Sequence, residues 1–321
     1  MTARVERLGL LFAGLCALNG AFVPAFAKLT TNAADPVFVA TTTTLFGAIC
    51  AAFVLLARGE LRVLVQRRVG PRLLLIGAVG TAVAYILFFS GARRATAIET
   101  VICLQSEPAY SLLAAWIFLG HRPTSRRVLA IGILLAGIIL AVGGRGFGGS
   151  SGIWLLLATP LFWQGSHLLV LRHLVGISPE VLTGARYIDG GILLVVYWLM
   201  SGGVAHLPSM PDLVRLLPLL AIQGLVLSYV GTLLWYQAIT RIDLARTTAI
   251  VVPSVPLLSL GASFLLLGET PTLFQWIGLL LTAAGVLAFV TAPDVRTRLE
   301  RVAGAVPDIS AARTTPGFTA S

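Results

Sequence analysis

"AIETVICLQSEPAYSLLAAWIFLGHRPT" (97–124) and "ARTTAIVVPSVPLLSLGASFLLLGETPT" (245–272) align without a gap. Ala97 meets Ala245, Thr100 meets Thr248, Ser106 meets Ser254, and Pro108 meets Pro256. Ser111-Leu112 meets Ser259-Leu260, and "LGHRPT" meets "LGETPT". Further on, Ala136-Gly137 meets Ala284-Gly285. An apolar run that keeps a proline at one interior place, twice, reads as an internal repeat. A repeat has to be found before the fold is assigned.

Working outward, the repeat extends to both ends. "NGAFVPAFAK" (19–28) resembles "QGSHLLVLRH" (164–173), and "DP" (35–36) corresponds to "SP" (178–179). The chain has 321 residues, is 57% hydrophobic and 11% charged, and has a mean hydropathy of +0.92. Soluble domains carry about 25% charged residues, so an ordinary soluble core is excluded. A helix needs about 20 mainly apolar residues to cross a bilayer. Ten runs meet that need, at roughly 8–27, 37–57, 73–91, 96–119, 128–143, 153–171, 181–200, 214–238, 246–267 and 274–291. The expected fold is an all-α integral membrane protein of ten transmembrane helices in two five-helix repeats. The first repeat is residues 1–147 and the second 148–292, followed by a polar, disordered cytoplasmic tail over 293–321. An odd number of spans per repeat inverts the second copy. Inverted repeats are common in secondary transporters, whose substrate sites lie at the repeat interface near the midplane.

The opening also has the look of a signal peptide, with Arg4 and Arg7, an apolar run, and an A-x-A site at Ala25–Ala27. Cleavage there would remove a span the repeat requires, so the run is read as the first helix. With the N-terminus cytoplasmic, the inner connections hold seventeen lysines and arginines and the outer ones five (Lys28, Arg93, Arg94, Arg145 and Arg215). That asymmetry places both termini in the cytoplasm, with the chain multi-pass in the plasma (inner) membrane. The net charge of +10 falls in short clusters between apolar runs, a pattern for membrane lipid and not for nucleic acid. Cys16, Cys50 and Cys103 are far apart and all lie in apolar runs. No metal site, disulfide framework or cofactor is expected.

Ten spans as five plus five, a proline in the middle of the fourth and ninth, and the "LGH" and "LGE" turns resemble the EamA-type family of the drug/metabolite transporter superfamily. "GSHLLVLRH" and Arg186 in "TGARYIDGG" are similar to that family's pattern too. The resemblance covers about residues 8–291. It implies a carrier with a central cavity and alternating access, often exporting amino acids or other small metabolites. His121 departs from it, standing where the family usually has the acid that Glu269 supplies in the second half.

Ionisable residues within a span cost several kcal/mol unless paired or hydrated, so each is a candidate for function. Glu99 is either a site residue or a helix-start carboxylate favoured by the helix dipole. Glu107 lies eight positions on, about 80° around the helix, and is the main candidate for substrate, proton or gating work. Its structural alternative is a pair with Arg186. Arg186 and Asp189 share a face and can neutralise each other; otherwise Arg186 binds a substrate carboxylate. His167 and Trp163 share a face of the sixth span, and His167 is a candidate for proton coupling. Asn19 and Gln164 open matching polar patches, and Tyr229 is central enough to line a cavity. Pro108, Pro256 and Glu269 are candidate gate residues, the prolines because broken backbone is tolerated where it lines a cavity.

An intramembrane enzyme is the rival class. "GSSG" (149–152) is a weak nucleophile pattern in a Gly-rich loop, and neither HExxH nor GxGD occurs. A channel or membrane scaffold is the third class. The expectation is a secondary transporter and not an enzyme, with a small-molecule substrate and protons as the candidate coupling ion.

Overall fold

The computed structural model describes residues 3–120, 122–144, 151–174, 176–242 and 244–292. His121, the start of the "GSSG" string and the expected tail at 293–321 lie outside them. All described secondary structure is helical, with no strand among the described residues. Helices α1 (Ala3–Ala33) and α2 (Pro36–Ala57) are followed by α3, which spans Gly70–Arg94. The fourth run is broken into α4a (Ala97–Leu104) and α4b (Glu107–Leu119). Then come α5 (Ser125–Gly143), α6 (Ser151–His173) and α7 (Pro179–Met200). Helix α8 runs through Met210–Ala221, Ile222–Val230 and Gly231–Ile242. Helices α9 (Leu244–Leu267) and α10 (Leu273–Thr291) complete the order.

Local chemistry sets the ends. Asp35 caps α2 by accepting from Val37 N and Phe38 N, and Ser178 caps α7 by accepting from Val181 N. Each is followed by a proline at the first helical position, where the missing N–H costs nothing. Gly120 and Gly268 close α4b and α9 with φ of 69° and 65°, the left-handed conformation glycine adopts without strain.

Nine of these helical runs are long and apolar enough to cross a membrane. The expectation was ten. The run that falls short is α7, because it carries Glu180, Arg186 and Asp189. Its 22 residues still reach about 33 Å. The lipid-exposed surface is built from side chains such as Phe53, Leu56, Trp116, Ile117, Leu265 and Leu280.

The packing has an internal symmetry. Helix α1 packs on α8 and α9, and α6 packs on α3 and α4. Helix α2 packs on α8, α7 packs on α3, and the like pairs α2–α7 and α5–α10 join the halves. Exchanging α1–α5 for α6–α10 leaves those pairs unchanged, whereas the packing of α1 on α3 and α4 has no counterpart of like extent for α6 on α8 and α9. Both α3 and α8 contain a π-helical stretch, Ala78–Val83 and Ile222–Val230. Each stretch lies where another helix crosses at close range. A Cβ at Gly77 would sit 2.9 Å from the Ala185 carbonyl oxygen, and one at Gly224 would sit 2.3 Å from that of Thr43. Only glycine permits these crossings.

Candidate substrate and coupling site

The break in α4 falls at Gln105–Ser106, just ahead of Pro108. Pro108 occupies the first turn of α4b, where its missing N–H is no loss. Ser106 Oγ donates to Cys103 O at 2.8 Å, the carbonyl that also accepts from Ser106 N at 3.1 Å and closes the turn. Helix α9, which shares the proline, is not broken there: Leu244–Leu267 is continuous through Pro253 and Pro256. There Ser254 Oγ donates one full turn back, to Ile250 O at 2.6 Å, and the helical path is kept.

The break presents Glu107 to α6. Gln164 Nε2 donates to Glu107 Oε1 at 2.6 Å, short enough for a charge-assisted bond. Trp163, one residue earlier on α6, packs its ring 6.2 Å from that of Phe88 on α3, and its buried indole Nε1 has no partner among the described residues. His167, one turn further on, keeps an exposed side chain.

Arg186 enters from α7. Its guanidinium donates to Gly80 O at 3.0 Å, within the π stretch of α3. A π turn displaces carbonyls from the i→i−4 ladder, which is why such turns recur at functional sites. Arg186 also lies within coulombic range of both Glu107 and His167. Ion pairs join Arg58 to Glu60 and Glu180, and none joins Arg186 to a described carboxylate. Of the alternatives open for Arg186, mutual neutralisation with Asp189 is not the one this arrangement makes: the guanidinium bonds to the α3 backbone at Gly80. Asp189 instead lies against Gly77, and its Oδ2 has no partner among the described residues. Glu107 and Arg186 are neighbours and not a contact pair.

The remaining candidates lie elsewhere. Asn19 Nδ2 donates to Val226 O at 2.9 Å, inside the π stretch of α8. Tyr229 is buried edge-on against Tyr187, with ring centroids 6.1 Å apart. Glu99 and Glu269 meet at the start of α4a. Glu99 forms a capping box with Thr96, accepting from Thr96 N at 2.9 Å. Glu269 reaches across from the second half and accepts from Ala97 N at 3.1 Å and Ile98 N at 3.2 Å. With Thr96 Oγ1 accepting from Glu99 N, the opening N–H groups of α4a are all bonded. Lys28 Nζ donates to Arg93 O at 2.8 Å and lies within coulombic range of both carboxylates. Two residues were not singled out by sequence reading. Gln164 appeared only as the start of a polar patch, and Gly80 gave no signal, because a backbone carbonyl has none.

The EamA-like transporter family matches residues 7–143 and 150–291. The chain belongs to that family. Its relatives include an uncharacterised transporter of Archaeoglobus fulgidus, 28% identical over 64% of this chain and 71% of that protein. A probable terminal-alkyne amino-acid exporter of Streptantibioticus cattleyicolor is 28% identical over 68% of this chain and 72% of its own length. A solved crystal structure of 18% identity covers 88% of this chain and 97% of its own, with a TM-score of 0.63. That likeness bears on the fold alone. This EamA-family chain is thus a multi-pass transporter, with a membrane setting and a small-molecule substrate, and the family and its relatives point away from an enzyme.

Proposed function

We propose that this EamA-family transporter works by alternating access between two inverted five-helix repeats, residues 1–147 and 148–292. The exchange-invariant helix pairs, the paired π stretches and the two separately matched stretches of the chain support that reading. The observation that carries the site is the Glu107–Gln164 hydrogen bond at the break in α4. Glu107, Gln164, His167 and Arg186 border one polar space among α3, α4, α6 and α7. His167 belongs to that set because its side chain is exposed and Arg186 lies within coulombic range of it.

The substrate is a small zwitterion such as an amino acid or a related compound. Its carboxylate meets Arg186, which the Gly80 carbonyl holds in place, and its ammonium meets Glu107. The name of the Streptantibioticus relative supports both amino-acid chemistry and outward transport. Glu107 and His167 are the proton-carrying groups if the transport is proton-coupled. Trp163 forms a wall of the space, while Asn19 and Tyr229 hold the second half in register with the first. Glu269 latches the gate at α4a, and Pro108 and Pro256 mark the moving segments. The chain sits in the plasma (inner) membrane with both termini cytoplasmic, as the arginine distribution supports.

Counterflow in proteoliposomes is the test. Amino acids, their carboxylate-blocked amides and simple organic cations are screened at two pH values. Saturable counterflow of the free amino acids, lost with the amides, is the expected result. Counterflow of cations alone would assign the site to another substrate class, and unsaturable flux would make the protein a channel.

A further inference from the structure

The α2–α3 and α7–α8 connections occupy matching places in the two halves. Each contains one short 3-10 helix, Leu61–Val65 in the first and Gly203–His206 in the second. Their charge differs completely. The first connection carries Arg58, Arg62, Arg67 and Arg68, with Arg72 just inside α3, whereas "SGGVAHLPS" (201–209) carries neither lysine nor arginine.

Two of the five arginines are committed to protein groups. Arg58 pairs with Glu60 and Glu180, each at 3.4 Å. Arg72 donates to His173 O at 3.3 Å. Glu60 is the single acid of the connection, and it also accepts from Ser178 Oγ at 3.0 Å. Arg62, Arg67 and Arg68 are exposed and have no protein partner among the described residues. The 3-10 helix that carries Arg62 is amphipathic in the opposite sense from a soluble one. Leu64 is buried against Leu55, Leu73, Leu174 and Val181, while Leu61 and Val65 are 37% and 82% exposed.

Three unpartnered guanidinium groups beside two exposed apolar side chains, at the level where membrane helices end, match the chemistry of a lipid headgroup above its acyl chains. We propose that the α2–α3 connection is a docking surface for anionic phospholipid. The arginines contact the phosphates, and Leu61 and Val65 enter the acyl boundary. An acidic soluble partner would leave those two side chains against water. The consequence reaches the site. The connection is bonded to the start of α7 through Glu60, Arg58 and Glu180, and to the end of α6 through Arg72. Lipid held here braces the helices that carry Arg186 and Gln164.

The full-length protein is placed in nanodiscs of phosphatidylcholine alone, or with phosphatidylglycerol added, where both faces are open and orientation does not enter. The wild type is expected to gain in Tm and to bind phosphatidylglycerol preferentially. Each arginine near an anionic surface contributes about fivefold in affinity, so R62Q/R67Q/R68Q should lose on the order of a hundredfold and its Tm response. The three single variants give the same reading in thirds should the triple variant fail to fold. The exposed Arg215→Gln variant should keep the full response. An unchanged phosphatidylglycerol response in the arginine variants overturns the proposal. So does an equal Tm gain from inorganic phosphate in detergent, or one from a soluble acidic polypeptide with no lipid.

Discussion

The two helix crossings related by the repeat are built alike and furnished differently. In both, a loop-capped helix with proline at its first position passes a glycine at a π stretch: α7 over Gly77 and α2 over Gly224. Counting from those prolines, Arg186 matches Thr43 and Asp189 matches Phe46. At the neighbouring α4–α6 and α9–α1 contacts, Glu107 of α4 matches Val255 of α9, and Gln164 of α6 matches Asn19 of α1. Val255 lies 3.3 Å from where a Cβ on Gly20 would be, an apolar contact between α1 and α9. Its counterpart, Glu107 with Gln164, is a hydrogen bond between α4 and α6. The local geometry recurs, and the side-chain chemistry does not. Glu107, Arg186 and Asp189 all stand where the matching residues carry no charge. A charge at the bilayer centre costs about 2.5–3.5 kcal/mol on insertion scales. The site proposed above gives one half a reason to bear that cost where the other is uncharged.

Making the polar crossing resemble the apolar one should produce the largest effect. Glu107→Gln keeps shape but removes the charge, and a hydrogen bond to a charged group contributes about 1.5–3 kcal/mol. Counterflow should fall on the order of 10- to 100-fold while the purified protein remains monodisperse. Normal flux in this variant would remove Glu107 from the site. Arg186→Thr, which copies Thr43, comes next. It leaves the Gly80 carbonyl unpaired and deletes the carboxylate partner, so affinity for amino acids should drop about tenfold. Amides of the same amino acids should be affected less, and an equal loss for both would make the arginine a structural brace.

The long helices were legible because a membrane helix announces itself by length and apolarity alone. The arrangement of their polar groups was less so. Proline marked both α4 and α9, yet only α4 is broken. The matching positions are Gln105 in the broken helix and Pro253 in the continuous one, so the number of prolines does not foretell the break. In the continuous helix Ser254 Oγ bonds a full turn back, to Ile250 O, whereas at the break Ser106 Oγ bonds only three residues back, to Cys103 O. The spacing of Arg186 and Asp189 was read correctly as one face, but spacing is silent about which foreign backbone lies opposite. The π stretches that supply the Gly80 and Val226 carbonyls leave no mark in residue type. Glu99 was open between site and cap, and the capping box with Thr96 gives it the second role.

A smaller effect is expected at the seam between the halves. Glu269→Ala removes both bonds to Ala97 N and Ile98 N. A helix cap contributes about 1 kcal/mol, with the dipole adding a few tenths. The balance between open and closed forms at that end should shift about five- to tenfold. A cysteine at Ala262, 3% exposed on α9 beside Ala97, reports this through its rate of modification by an impermeant reagent. The rate should rise in Glu269→Ala and be partly restored in Glu269→Gln, whose amide oxygen still accepts. An unchanged rate would reduce the contact to local capping.

The finest separation of the two crossings is a single methylene. Gln164 and Asn19 differ only in length, and each finds its own partner: Gln164 reaches the Glu107 carboxylate, while Asn19 stops at the Val226 carbonyl. Gln164→Asn should leave the amide short of Glu107 without changing polarity or charge. The carboxylate then keeps Arg186 in range but loses its direct donor, at a cost of about 1 kcal/mol. Transport should slow about fivefold and its pH profile should change, because the missing donor served the carboxylate itself. A packing defect alone would slow transport at every pH equally. The reciprocal Asn19→Gln change, in the crossing without a carboxylate, should leave the pH profile where it is. If both variants moved the profile alike, the asymmetry between the crossings would be one of sequence only and not of chemistry.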